Sequence, residues 1–376
     1  MSCDLRGMTK NPKMRLLVAA SLGALALGVA ACGSSNDNSS TSGDSGSSAS
    51  GTVNGAGSTF AAPVYQQWGS TQKGNGVTLN YQPVGSGAGI AALAQGTANF
   101  AGSDPALTPD DRKTLTKGEV VQIPMFFGAI TASYNVNGVD KGLKLDGPTL
   151  ANIFLGKITT WDDPAIKSLN PGASLPSSKI TVVHRSDESG TTKGFTTFLS
   201  NYSSEWKSKV GADKTVKWPT GTGAKGNDGV AAAIKQTDGS IGYVEQAYAL
   251  QNNFNTADVK NKSGKFIAPT LESTSAAGEG ANPPANLEFS TINAPGARSY
   301  PITAVTFQIV WQDACKAGVS RDAAANLKTW LTYILGDGQQ VAPDLEYAPL
   351  PAGIQSRAQA KVDALECDGQ PIEAAK

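Results

Sequence analysis

The sequence predicts an α/β fold organised as two lobes. Three observations predict it. Strand-like apolar runs alternate with segments of helical periodicity, the pattern of a sheet flanked by helices. The body after residue 51 exceeds one average domain. Two long strand-like runs, residues 120–134 and 299–310, read as crossings that insert a lobe near 133–300 into a lobe built from both chain ends.

Residues 1–15 carry Arg6, Lys10, Lys13 and Arg15 against one acid, Asp4. Residues 16–31 are uncharged, rich in Leu, Ala and Val, and end in Val29, Ala30 and Ala31 directly before Cys32. This is a secretory signal, with an apolar core too short and wrongly flanked for an ordinary spanning helix. The Val-Ala-Ala-Cys ending resembles a bacterial lipoprotein box, which implies cleavage before Cys32 and lipid on its sulfur; plain secretion or an uncleaved anchor is the alternative. Residues 33–51 are almost wholly Ser, Gly, Asn, Asp and Thr. Such a segment buries no core and reads as a flexible tether, so residues 32–51 are expected to leash a globular body to a membrane's outer face.

The whole chain has 31 basic and 31 acidic residues; without residues 1–31 the count is 27 against 30, net −3. That balance argues against a nucleic-acid partner and requires any anion site to be local. Cys3 leaves with the signal, and Cys315 and Cys367 remain, an even pair in an oxidising compartment. A bridge between them is expected, with two free buried thiols as the alternative.

The first ordered piece, residues 53–57, is a strand running into a Gly-rich turn, with a helix opening near Thr59 and Pro63 tolerated in its first turn. Residues 77–81 alternate like a strand and lead to Gly85, Ser86 and Gly87, then to Ile90 and Leu93 of a second helix. Phe100 to Ser103 and Asp104 form a further strand-to-turn junction. Ligands of α/β sheets sit off the carboxyl ends of strands, where these junctions place small polar residues and one carboxylate. Pro124, inside the run 120–134, suggests either two strands or a crossing. A helix is expected from Gly147 through Phe154, then a loop over 156–164 anchored by Trp161.

Ile180, Val182 and Val183 read as a short buried strand ending at His184 and Arg185. Phe195, Phe198 and Leu199 fall at i, i+3, i+4, so a helix begins near Ser189, a good N-cap. Gly190, Thr191 and Thr192 then put N–H groups and hydroxyls at a helix start. Its first N–H groups lack intrahelical partners and its dipole favours negative charge. Arg185 adds a planar cation suited to tetrahedral oxyanions. An ordinary capped helix with a surface Arg–Asp pair is the competing reading.

Gly221, Gly223 and Gly226 match G-x-G-x-x-G, with Glu245 about 20 residues on, but Pro219 precedes them where a strand is needed. A loop and then a helix start at Asn227 is expected instead. Residues 239–244 read as a strand, and 251–298 as loops and short pieces. Leu327, Trp330, Leu331 and Ile334 predict a helix capped by Ser320 and stopped by Gly336; Ile354, Ala358, Val362 and Leu365 predict the last. No P-loop and no G-x-S-x-G occurs. The single histidine, His184, excludes His-rich metal sites and relays needing two histidines, and its place in a β run reads as core or shell.

Taken together and in order, 55–60, 85–89, Ser103 with Asp104, 156–164, 185–192, 223–228 and 347–351 resemble the phosphate-binding lipoproteins and periplasmic proteins that feed the high-affinity phosphate ABC transporter. The resemblance covers nearly everything after the tether. It implies the two-lobed, hinged periplasmic-binding-protein type II fold, each lobe a mixed sheet flanked by helices, with phosphate buried between lobe I (52–132 plus 301–376) and lobe II (133–300). It implies no chemical turnover, no cofactor and no metal. The partners would be inorganic phosphate and the transmembrane permease subunits, the protein a monomer lipid-anchored outside the cell membrane.

By that resemblance Ser58, Thr59 and Phe60 would give backbone and hydroxyl donors, and Ser86 another hydroxyl. Arg185 would give charged bonds, and Ser189, Gly190 and Thr191 the helix-start donors. Asp104 would accept, and Asp187 would orient Arg185. The family often has Gly where Glu188 and Ala88 stand here. Glu188 adds negative charge near the anion and is expected to point to solvent.

The chemistry of that set is coherent. At pH 7 phosphate still carries a proton that a buried carboxylate can accept, whereas sulfate carries none. Unmatched buried polar partners can reject an analogue by roughly 10⁴–10⁵. Other tetrahedral oxyanions (sulfate, molybdate, tungstate), a secreted phosphoester hydrolase using Ser189 or Ser86, and a surface adhesin with a vestigial site are the alternatives.

Overall fold

The computed structural model of the protein describes residues 51–375. The signal segment, Cys32 with its expected lipid, and the tether up to residue 50 lie outside the described residues. Among the described residues, no helix is long and apolar enough to cross a membrane.

The chain opens with β1 (Gly51–Gly57), α1 (Ala62–Lys73), β2 (Val77–Gln82), α2 (Ser86–Gln95), β3 (Phe100–Ser103) and α3 (Pro109–Thr114), then enters β4 (Val120–Asn135). There follow β5 (Lys144–Leu145), α4 (Gly147–Phe154), α5 (Pro164–Leu169), β6 (Thr181–Arg185), α6 (Gly190–Tyr202) and α7 (Ser204–Lys209). Next come β7 (Thr222–Ala224), α8 (Gly226–Gln236), β8 (Ser240–Glu245), α9 (Gln246–Gln251), β9 (Asn255–Thr256), β10 (Asp258–Lys260), β11 (Phe266–Ile267) and α10 (Leu271–Glu279). The chain closes with β12 (Thr303–Trp311), α11 (Arg321–Leu335), α12 (Gly338–Val341), α13 (Ala352–Asp363), β13 (Glu366–Cys367) and β14 (Gln370–Pro371).

One mixed sheet runs β2-β1-β3-β12-β4-β8-β6-β7, with β9 also paired to β4. β4 joins its two halves. Residues up to Ala129 pair antiparallel with β12, and residues from Ile130 pair antiparallel with β8. The run is therefore one strand and a crossing. Pro124 is accommodated because the register of β4 against β12 shifts there: Phe126 faces Thr306 and Pro124 faces Phe307, leaving Met125 as the extra residue of a bulge. In each half the parallel strands β1, β2, β3 and β6, β7, β8 end where the junction residues gather.

The helices follow their local signals. Ser189 accepts a hydrogen bond from the Thr192 N–H and starts α6; Ser320 and Asp146 cap α11 and α4 in the same way. Phe195, Phe198 and Leu199 of α6 are fully buried, as their spacing requires. Tyr65, Trp68, Phe126 and Trp330 form an aromatic cluster under the first half of the sheet. Cys315 and Cys367 are bridged.

Three expectations need correction. α1 begins at Ala62, three residues after Thr59, because the turn after β1 spends Ser58 Oγ as acceptor for the Phe60 and Ala61 N–H groups. The segment after Pro219 holds the short strand β7, paired parallel to β6. Residues 251–298, expected as loops and short pieces, hold the short strands β9 to β11 but also the nine-residue helix α10, capped reciprocally by Thr270 and Ser273. A side chain on Gly278 of that helix would strike the Phe127 ring, so α10 lies flat on β4.

Candidate functional site

The site grows from five strand ends and helix starts. After β1, Gly57 has φ +136°, and a Cβ there would lie 2.2 Å from the Gly102 carbonyl oxygen of β3. Only glycine lets these two strands close up while the chain turns into Ser58, Thr59 and Phe60. After β3 comes Asp104; β6 ends at Arg185; α2 starts at Ser86 and α6 at Gly190. Ser58, Thr59, Phe60, Ser86, Asp104, Arg185, Ser189 and Thr191 are all buried, and contacts link Ser58 to Asp104, Asp104 and Ser86 to Gly190, Arg185 to Thr191, and Thr59 to Thr191 through Asn227.

Asp104 is held on one side only. Its Oδ1 accepts from Ser58 Oγ at 2.5 Å and from Thr306 Oγ1 at 3.1 Å. Its Oδ2 faces α6 so closely that a Cβ on Gly190 would lie 2.4 Å from it and 2.7 Å from Ser86 Oγ. Burial raises the Asp104 carboxyl to about 6, against the opposing pull of Ser58, Thr306 and the Arg185 charge. Ser58 thus turns its hydroxyl to Asp104, and the Phe60 N–H turns to Ser58. Ser86 Oγ is buried with no protein partner.

Arg185 is fixed by a side-on pair. Nε donates to Asp187 Oδ1 at 2.7 Å and Nη2 to Oδ2 at 2.6 Å, leaving Nη1 on the side of Thr191 Oγ1 at 3.4 Å. Burial opposes the Asp187 charge, but Arg185 and the Gly226 N–H outweigh it and hold the carboxyl below its ordinary value. Asp187 thus holds the Arg185 guanidinium by two hydrogen bonds. Glu188 is exposed, and its carboxylate reaches over α2, where a Cβ on Gly87 would sit 1.7 Å from Oε2. His184 is half-buried, stacks on Trp218 at 4.6 Å, and its Nδ1 lies 3.0 Å from the Arg185 carbonyl oxygen. It is a shell residue, and burial lowers its pKa.

Several residues of the site carried no assigned role in the sequence reading. Asn227 Nδ2 donates to Thr59 Oγ1 at 2.9 Å and to Thr191 Oγ1 at 3.2 Å. Tyr243 OH meets the Arg185 N–H at 3.0 Å and Thr192 Oγ1 at 2.7 Å. Tyr248 OH donates to the Thr59 carbonyl at 2.7 Å. Beneath them Glu245 Oε2 accepts from Tyr347 OH at 2.8 Å and from the Ala247 N–H at 2.9 Å; burial pushes that carboxyl well above its ordinary value. Asn227 had a local signal, since it opens a helix after a Gly-rich loop. Thr306, in the middle of an apolar strand, had none.

The arrangement gathers the unpartnered Ser86 hydroxyl, the start of α6, Thr191 and Arg185 Nη1 near one unbonded carboxylate oxygen of Asp104. Such a set can enclose a small tetrahedral oxyanion that carries a proton. A cavity of about 390 Å³ borders the site at Asp104 and Gly190 and is otherwise lined by residues outside the expected set, Lys193, Phe289 and Ile292 among them.

Comparison with known proteins finds the PBP superfamily domain over residues 42–337. A phosphate-binding protein PstS of Xylella fastidiosa is 42% identical over 82% of this chain and 84% of its own. One from Pasteurella multocida is 41% identical over 85% of this chain and 93% of its own. Among solved structures, a phosphate-binding protein from Stenotrophomonas maltophilia, 22% identical, superposes with a TM-score of 0.65 over 82% of this chain and 93% of that one, a likeness of fold.

Proposed function

This chain belongs to the PstS phosphate-binding family within the PBP superfamily, and from that premise we propose that it captures inorganic phosphate outside the cell membrane and delivers it to an ABC transporter. The observation that carries the reading is the one-sided Asp104. Its Oδ1 is committed to Ser58 and Thr306, and its Oδ2 faces the start of α6 at Gly190 with no hydrogen bond from the described residues. A protonated anion donates to that free oxygen; sulfate and molybdate, unprotonated at neutral pH, would oppose it with a lone pair.

Thr59, Ser86, Arg185, Ser189, Gly190 and Thr191 are the proposed donors, with Phe60 and Ser58 shaping the turn. Lobe I spans 52–132 with 301–376 and lobe II 133–300, the change of β4 partner after Ala129 supporting a hinge there. Closing the lobes shields the anion and gives the permease subunits a ligand-specific surface. Lipid on Cys32 tethers the protein, which acts as a monomer.

A hydrolase reading is disfavoured because neither candidate nucleophile, Ser86 or Ser189, is hydrogen-bonded to a base. Ser189 Oγ caps α6, and the imidazole of His184 is engaged with Trp218 and the Arg185 carbonyl. Calorimetric titration of anion-stripped protein with phosphate and then sulfate tests the proposal. Tight phosphate binding with sulfate silent is expected, and that discrimination weakens in Asp104→Asn. Equal binding of both anions, or turnover of a phosphomonoester, would overturn it.

A further inference from the structure

We propose that Asn227 is a positioning residue that sets the polarity of the site, forcing the hydroxyls of Thr59 and Thr191 to donate towards the anion. A hydroxyl has one proton and two lone pairs and turns freely unless its partners decide for it. Thr59 Oγ1 accepts from the Asn227 backbone N–H at 3.1 Å and from Asn227 Nδ2 at 2.9 Å. Both lone pairs are used, so its proton must point elsewhere. Thr191 Oγ1 accepts from Asn227 Nδ2 at 3.2 Å and lies 3.4 Å from Arg185 Nη1. Its proton is left over in the same way.

The amide itself cannot be turned round. Asn227 Oδ1 accepts the Glu245 backbone N–H at 3.0 Å, so Nδ2 must face the threonines. Asn227 is wholly buried, so water does not offer an alternative partner. Its own N–H is one of the unpaired donors at the start of α8, which is why it is free to reach Thr59. One side chain thus joins the turn after β1, the start of α6 and the end of β8. It converts two ambivalent hydroxyls into donors. With Asp104 as the acceptor, the site then has a fixed polarity that a protonated oxyanion matches.

The inference rests on the anion-binding reading above. Asn227→Asp keeps the shape but places an acceptor where Nδ2 was, so the hydroxyl protons turn inward. Phosphate affinity at pH 7.5 should fall about 100-fold or more, the loss expected for charge-assisted bonds at two hydroxyls. The ratio of wild-type to variant affinity should narrow as pH falls to 5 and the new carboxyl takes a proton. Asp104, Arg185, Asp187, Asp228, Glu245 and Tyr248, the ionisable groups around this network, are common to both proteins, so the ratio isolates the new group.

Asn227→Ala, which frees the rotors and also leaves the Glu245 N–H without its acceptor, should cost about 10-fold. In a Thr59→Ala background that cost should shrink to a few-fold, because one of the two hydroxyls through which it acts is gone. Should the aspartate variant not fold, this cycle decides alone. Alanine and aspartate variants binding within about 3-fold of wild type, or an undiminished loss in the Thr59→Ala background, would overturn the inference. Wild-type protein is titrated in parallel with phosphate, sulfate and molybdate. If it takes another oxyanion in place of phosphate, the phosphate assignment falls, and the same cycle run with that ion still judges Asn227.

Discussion

At the scale of single residues, the site holds an acid where stability would prefer a neutral group. Asp104 has a carboxyl raised from 3.8 to about 6 by burial. Because the folded value lies above the unfolded one, the stability linked to this proton is complete below about pH 4 and is lost as pH rises through about 6. Asp104→Asn should therefore melt higher than wild type at pH 7.5 without phosphate, by up to about 3 kcal/mol, and the advantage should vanish near pH 4. Saturating phosphate should reverse the order at pH 7.5, since a ligand stabilises the form that binds it. Thermal unfolding at the two pH values, with and without phosphate, checks this; a variant no more stable than wild type without phosphate at pH 7.5 would show that burial does not strain Asp104. Gly190 gives the complementary case. Its backbone lies against Asp104 Oδ2 and Ser86 Oγ, so the methyl of Gly190→Ala would crowd the oxygen proposed above as the anion's acceptor. Affinity should drop by at least about 10²-fold, near 2.7 kcal/mol, as read by calorimetry. Far-ultraviolet dichroism should stay as in wild type.

Elements were legible in proportion to how local their causes are. α6 could be read from Ser189 and the spacing of Phe195, Phe198 and Leu199, because a cap and a buried face are written within one turn or two. The ends of β1, β3 and β6 were legible as small polar residues after apolar runs. The bond from Thr306 to Asp104 was not, since 202 residues separate the partners and a threonine in a strand gives no sign of what it faces. Asn227 was visible as a helix start, but its reach to Thr59 over 168 residues depends on how the strands stack. α10 was missed because its small residues, Ser273 to Gly278, carry weak periodicity and pack by close approach to Phe127. The C-terminal hairpin β13–β14 is pinned twice: by the Cys315–Cys367 bridge, and by Asp313, which accepts the Asp368 and Gly369 N–H groups. Replacing both cysteines with serine should cost about 2–4 kcal/mol in denaturant unfolding. Phosphate affinity should remain, because this hairpin is remote from the strand ends that build the site; a matching loss of affinity would show coupling between them.

At the scale of the whole molecule, the question is what holds the two lobes together once the anion is in place. Lys214 pairs with Asp111 of α3, and both side chains are largely buried. By the lobe boundaries proposed above, the pair spans the cleft. The same Lys214 offers its backbone carbonyl to the Ser189 N–H at 3.0 Å, so the residue that clamps the far lobe also holds the cap of α6. Burial opposes the Asp111 charge, but Lys214 and Thr108 outweigh it and keep the carboxyl below its ordinary value. A pair of this kind contributes little over an apolar substitute, yet removing one partner strands the other in a buried place at about 3–5 kcal/mol. Lys214→Met should therefore favour opening, and phosphate should leave at least about 10-fold faster in stopped-flow exchange, with the association rate nearly unchanged. Lys214→Met combined with Asp111→Leu should recover much of the slow release, since neither charge is then left alone. Were the latch irrelevant, both proteins would release phosphate at the wild-type rate. Were it a matter of charge steering, the association rate would change and would respond steeply to salt.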